Sequence, residues 1–252
     1  MMTSTTKNKL LRALYIILPF VFWISLYEIA ASLMGNEYFL PRLSTIFTTL
    51  FGMLLGKAFY LACLYTLLRV LSALMLGIML GTLLGALSAR FKLLYYLLNP
   101  FMTAVKATPV ASLIIVLWIL LSGNALAIVI AIFMVLPIIW QSTYNSFDTL
   151  DPGLIEVCNV FGLSRKYRFR ALYLGNLKKY LLPSIITSVG LAWKSEIATE
   201  IIAYTKNSIG QLINDGKYNL DTPTVFAWTI VVICFSILFE SLIKKLLGRV
   251  KV

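Results

Sequence analysis

Six long apolar runs constrain this chain more than any other feature. Leu11–Leu33, Phe59–Ala89, Leu93–Leu121, Ala125–Tyr144, Leu181–Tyr204 and Thr224–Leu247 are each dominated by Leu, Ile, Val, Ala and Phe. About 20 helical residues cross a hydrocarbon core roughly 30 Å thick, so each run is long enough for one crossing. Inside lipid the backbone must satisfy its own hydrogen bonds, and a single segment does so only as a helix. The expected fold is an all-α integral membrane protein with six transmembrane helices, a single domain over residues 1–252. A composition that is 60% hydrophobic and only 13% charged excludes an ordinary water-soluble fold. The first run is too long for a signal-peptide core and has no small-residue cleavage site behind it, so it is read as a span of a mature chain. Pro109 divides the third run, which predicts a half-helix over Leu93–Thr108 before a shorter spanning piece.

The net charge of +12 suggests nucleic acid only until the basic residues are placed. With the N-terminus inside, the inner segments hold Lys7, Lys9, Arg12, Arg90, Lys92, Arg165, Lys166, Arg168, Arg170, Lys178, Lys179, Lys244, Lys245, Arg249 and Lys251. The outer segments hold Arg42, Lys57, Lys206 and Lys217. Lys and Arg accumulate on the cytoplasmic side of spans, so the asymmetry predicts both termini inside a cell membrane and no nucleic-acid partner. The stretch 145–180 is then the one long cytoplasmic loop, with short helices expected over Leu154–Phe161 and Tyr167–Leu177 around Gly162. On the other side, Met34–Lys57 and Thr205–Pro223 have room for short surface helices.

Within the second run, Gly77, Gly81 and Gly85 recur every four residues and form a stripe that lets another helix approach closely. Five ionisable residues fall at membrane depth: Arg69, Lys106, Lys194, Glu196 and Glu200. Each costs about 2.5–3.5 kcal/mol on insertion scales, so each is expected to face protein or a wet path. Glu196 and Glu200 share a helix face and Lys194 does not. Two readings stay open: Arg69, Lys194, Glu196 and Glu200 line a translocation path, or Arg69 or Lys106 neutralises the acidic stripe and holds helices together. The three cysteines form no C-x-x-C pair and there is no histidine, so neither a metal site nor a cofactor is expected. The absence of a nucleophile with a plausible base argues against an enzyme.

The most specific stretch is EVCNVFGLSRKYRFRALYLG, Glu156 to Gly175. It resembles the EAA signature of binding-protein-dependent ABC importer permeases. Glu156 and Gly162 match at the family spacing, Leu172 stands where Ile is usual, and Leu174 matches. Val157 and Cys158 replace the paired alanines, and Gly175 replaces a proline. Phe39-Leu40-Pro41, Thr66–Gly85, Lys106–Asn124, Gly190–Ile202 and Phe226–Leu242 look like the nitrate, sulfonate and taurine group of these permeases. The resemblance implies a type I importer permease fold and a loop, Glu156, Gly162, Leu172, Leu174 and Gly175, that couples to a separate ATPase. It also implies ATP-binding cassette ATPase subunits, an external solute-binding protein and a second permease copy as partners. The chain has no G-x-x-x-x-G-K-[ST] phosphate loop, so energy must arrive from another subunit. The rival expectation is an ion-gradient-driven secondary transporter, with Glu196 and Glu200 as its ion sites.

Overall fold

The computed structural model describes residues 4–248. Over this range the elements are helical: α1 Ser4–Met34, α2 Leu43–Leu54, α3 Lys57–Arg90, α4 Lys92–Ala107, α5 Val110–Trp118 and α6 Gly123–Asp148. They continue with α7 Pro152–Val160, α8 Arg165–Arg168, a π-helical turn Phe169–Tyr173, α9 Leu174–Ile202, α10 Ile209–Tyr218 and α11 Thr222–Leu247. α1, α3, α6 and α11 are long and apolar enough to cross a membrane, and the bent pair α4–α5 raises the number to five. α9 also has the length, but Lys178, Lys179, Lys194, Glu196 and Glu200 lower its apolarity. The expected cytoplasmic ends include residues 1–3 and 249–252, which lie outside the described residues, as do Arg249 and Lys251.

The glycine stripe sets the centre of the bundle. A Cβ added to Gly77 would stand 2.8 Å from Val135, one on Gly81 2.8 Å from Ile139, and one on Gly85 2.6 Å from Thr143. Contacts that advance by four residues on both helices in the same sense mean that α3 and α6 run parallel, with backbones in close approach. Parallel neighbours need a return between them, and only α4 and α5 lie there. The two meet at a 106° bend. Pro109 causes it: Thr108 before the proline is extended, at φ −80° and ψ 129°, and Pro109 serves as the N-cap of α5. The expected break thus falls where the sequence places it.

α9 lies antiparallel to α6, since Asn176 bonds to Ser146, Ser184 to Ser142, and Ala198 and Ile202 pack near Leu126 and Ile130. α11 completes the core, where Trp193 stacks on Phe235 and donates its indole N–H to the Val232 carbonyl at 3.2 Å. α2 and α10 fall in the two outer loops expected to carry short helices. The N-terminus of α2 is capped from a distance: Glu28 on α1 accepts the Leu43 N–H at 3.1 Å. One expectation is corrected. Tyr167–Leu177 is not a separate short helix, because α8, the π turn and α9 follow one another without a gap. No proline or positive-φ glycine interrupts that stretch, so α9 simply begins earlier than Leu181.

Candidate functional site

Three places gather the functional candidates. The first is the buried charge cluster on α3 and α9. Glu196 and Glu200 are four residues apart and so lie one above the other on the face of α9 that meets α3. Arg69 Nε is 3.2 Å from Glu196 Oε1 and 3.2 Å from Glu200 Oε1, and Nη2 is 2.8 Å from Glu200 Oε1. Both carboxylates are wholly buried and Arg69 is 5% exposed. Glu200 is the better satisfied of the two. It also accepts Thr66 Oγ1 at 2.7 Å and the Gly210 N–H at 3.0 Å. Glu196 pairs with Arg69 by distance, yet neither of its oxygens has an aligned hydrogen bond among the described residues.

The remaining guanidinium donors reach Asn124 Oδ1 at 2.9 Å and the Asn207 carbonyl at 3.3 Å. One arginine therefore ties together α3, the first turn of α6, α9 and the segment leading into α10. Gly210 is part of this fit, because a side chain there would collide with Glu200. Beyond α9, Tyr204 donates its hydroxyl to Asp215, and that hydrogen bond holds the phenol above its ordinary pKa range. The cluster unites Arg69, Glu196 and Glu200 as the sequence suggests, but leaves out Lys194, which is exposed on another face of α9. Sequence reading missed Thr66, Asn124, Asn207 and Gly210. Only Thr66 carries a local signal, standing three residues before Arg69 on the same helix face.

The second place is the loop containing α7 and α8. Asp151 caps α7 by accepting the Gly153 N–H at 2.8 Å, with Pro152 at the first helical position. Gly162 ends it at φ +61°, a conformation that favours glycine. The Leu163 N–H returns to Cys158 O and the Gly162 N–H to Asn159 O, both at 3.0 Å, which forms a Schellman stop. Glu156 and Gly162 are exposed, Leu172 lies in the π turn, and Leu174 and Gly175 open α9. Leu154, Val157, Val160 and Phe161 expose large apolar side chains, Val160 and Phe161 by 79% and 76%. Cys158 packs inward while Val157 faces out, so the bulk of Val157 does not obstruct the turn of the loop.

The third place is a groove of about 470 Å³ between α4, α6 and α9. Lys106, Gln141, Asn145, Lys179, Tyr180 and Ser184 line it. Gln141 donates to Asn145 Oδ1 at 2.9 Å, and Ser184 donates to Ser142 at 2.7 Å. Lys106 appears in the sequence reading as a candidate neutraliser of the acidic stripe. It instead stands exposed at this groove, and among the described residues Arg69 is the cation that pairs with the stripe.

Comparison with known proteins adds two findings. A family described as "Binding-protein-dependent transport system inner membrane component" matches residues 77–252, which include the loop, both glutamates and the groove. The osmoprotectant import permease protein OsmY of Salmonella typhimurium is 28% identical over 152 residues. That alignment covers 59% of this chain and 62% of the relative.

Proposed function

This chain belongs to the family of binding-protein-dependent transport system inner membrane components, and from that membership we propose that it is the non-catalytic permease subunit of an ATP-binding cassette importer. The observation that carries the reading is the capped helix α7 with its apolar face held out on a glycine stop. A short helix of this kind fits a cleft in an ATPase and passes its movement across the turn at Gly162 to α8, the π turn and α9, which follow one another without a gap. Glu156, Gly162, Leu172, Leu174 and Gly175 form the coupling surface. In this reading α9 is the sixth crossing, its charges made tolerable by Arg69, and both termini are cytoplasmic. Two copies of the chain dock on two ATPase subunits, and an external binding protein delivers the solute. ATP binding draws the loop inward and opens the spans outward, and hydrolysis resets them.

The solute we propose is a small osmoprotectant, by the relative's name, ahead of the sulfonate or nitrate suggested by sequence resemblance. The test is co-expression with the candidate ATPase and purification in lipid. The intact chain should retain the ATPase and support stimulated hydrolysis, while Glu156→Arg and Gly162→Asp should abolish assembly or stimulation. Failure of the intact chain to bind any ATPase, with flux following an ion gradient, would install the secondary-transporter reading instead. Uptake of a zwitterionic osmolyte against taurine and nitrate then selects the solute class.

A further inference from the structure

The groove between α4, α6 and α9 has a one-sided chemistry. Lys106 and Lys179 are exposed at its wall, and among the described residues neither lies within salt-bridge distance of a carboxylate. No Asp or Glu lines it. The Asn145 carboxamide oxygen accepts from Gln141 at 2.9 Å. The hydroxyls of Ser142 and Ser184 are committed to each other and to the Tyr180 carbonyl. The lining therefore carries two positive charges and no negative one. Lys106 and Lys179 share this lining with polar amides, and the Lys106 ammonium, placed at membrane depth by the sequence, is costly there unless water or an anion meets it.

We propose that this groove is a water-filled anion subsite of the chain, taking a small solute through its carboxylate or sulfonate group between Lys106 and Lys179. A volume of about 470 Å³ suits a small organic molecule. Its role in passage rests on the transporter reading above. Its wetness and charge preference do not.

The test uses the full chain with Cys63, Cys158 and Cys234 replaced by serine and Ser184→Cys placed in the groove. The probes are two methanethiosulfonates of similar size, one bearing a sulfonate and one a trimethylammonium group. The ratio of their labelling rates cancels any effect of the lysines on the reactivity of the thiol itself. The two ammonium charges of the lining should favour the anionic reagent by about tenfold at low salt. Lys106→Gln with Lys179→Gln should bring the ratio near one, while Lys106→Arg with Lys179→Arg, which keeps both charges, should preserve it. Equal rates in the parent, a ratio untouched by the glutamine changes, or no labelling would each overturn the proposal. Labelling that proceeds in maltoside micelles but is blocked in phospholipid nanodiscs would assign the site to lipid headgroups and overturn it too. An intact preference without ATP-driven uptake would sink the transporter reading and leave the subsite standing.

Discussion

At Arg69 three charged side chains are closed off from water and spend themselves on one another; at α7 the charges stand in solvent among exposed apolar residues. Both regions sit on the same polypeptide and both depart from the pattern of a plain apolar span. The difference lies in where the partner is. Arg69 finds two carboxylates, an asparagine and a backbone carbonyl within the chain. Glu156, Val157 and Phe161 find nothing comparable among the described residues, and α7 is nonetheless capped and stopped at both ends. Under the proposed function a helix bounded in this way, with its apolar side outward, meets another molecule, whereas the cluster joins elements of this chain to one another.

The largest effect should come from removing the single cation that serves both glutamates. Arg69→Leu leaves two buried carboxylates facing each other, and breaking such a pair costs about 3–5 kcal/mol. Thermal unfolding in detergent should fall sharply, and combining Arg69→Leu with Glu196→Gln and Glu200→Gln should recover a good part of the loss. Lys194→Gln on the exposed face of the same helix should leave the unfolding temperature nearly unchanged. Equal losses for Arg69 and Lys194 would erase the distinction between the regions.

Each region also has a glycine, and the two should answer differently to alanine. Gly210→Ala sets a methyl against the Cβ and backbone of Glu200 and the Ile201 backbone, so α9 and α10 must shift apart, at a cost of about 1–3 kcal/mol. Gly162→Ala meets no atom within 4 Å and pays only for its left-handed backbone, about 1 kcal/mol. Hydrogen exchange should show the first change spreading into α9 and α10 and the second confined to α7 and α8. A spread from Gly162 into the bundle would mean that the loop is part of the packed body.

Much of this was legible in advance, and the physical reasons are specific. Pro109 announced the break of α4 from α5 because the residue before a proline avoids the helical region. Gly77, Gly81 and Gly85 announced a close helix contact, though not that α6 would be the partner, since a stripe records its own spacing and not that of its neighbour. The four-residue separation of Glu196 and Glu200 placed them on one face, and Arg69 was one of two cations able to answer them. Asn124, Asn207 and Gly210 were invisible because their roles arise from chain returns of more than fifty residues in one case and from backbone atoms in the others. The earlier start of α9 is not legible because hydropathy marks the apolar part of a helix, not where its hydrogen bonding begins. The groove went unseen as a unit for a related reason. Lys106, Gln141 and Lys179 come from three helices and meet only after those helices are packed.

The smallest change in stability should accompany a large change in coupling. Phe161 is 76% exposed at the end of α7, so Phe161→Asp removes little packing and its effect on unfolding should stay within about 0.5 kcal/mol. If the apolar face of α7 seats in an ATPase, however, the same carboxylate is carried into a dry interface without a partner, where burial of an unpaired charge is strongly unfavourable. ATPase retention on purification and stimulated hydrolysis should both fall, with the unfolding temperature of the isolated chain unmoved. Arg69→Leu provides the opposite pattern, in which coupling is lost only because the chain itself is lost. If Phe161→Asp lowered the unfolding temperature as Arg69→Leu does, Phe161 would be a core residue of an assembly of this chain with itself, and the division between a region that holds and a region that docks would fail.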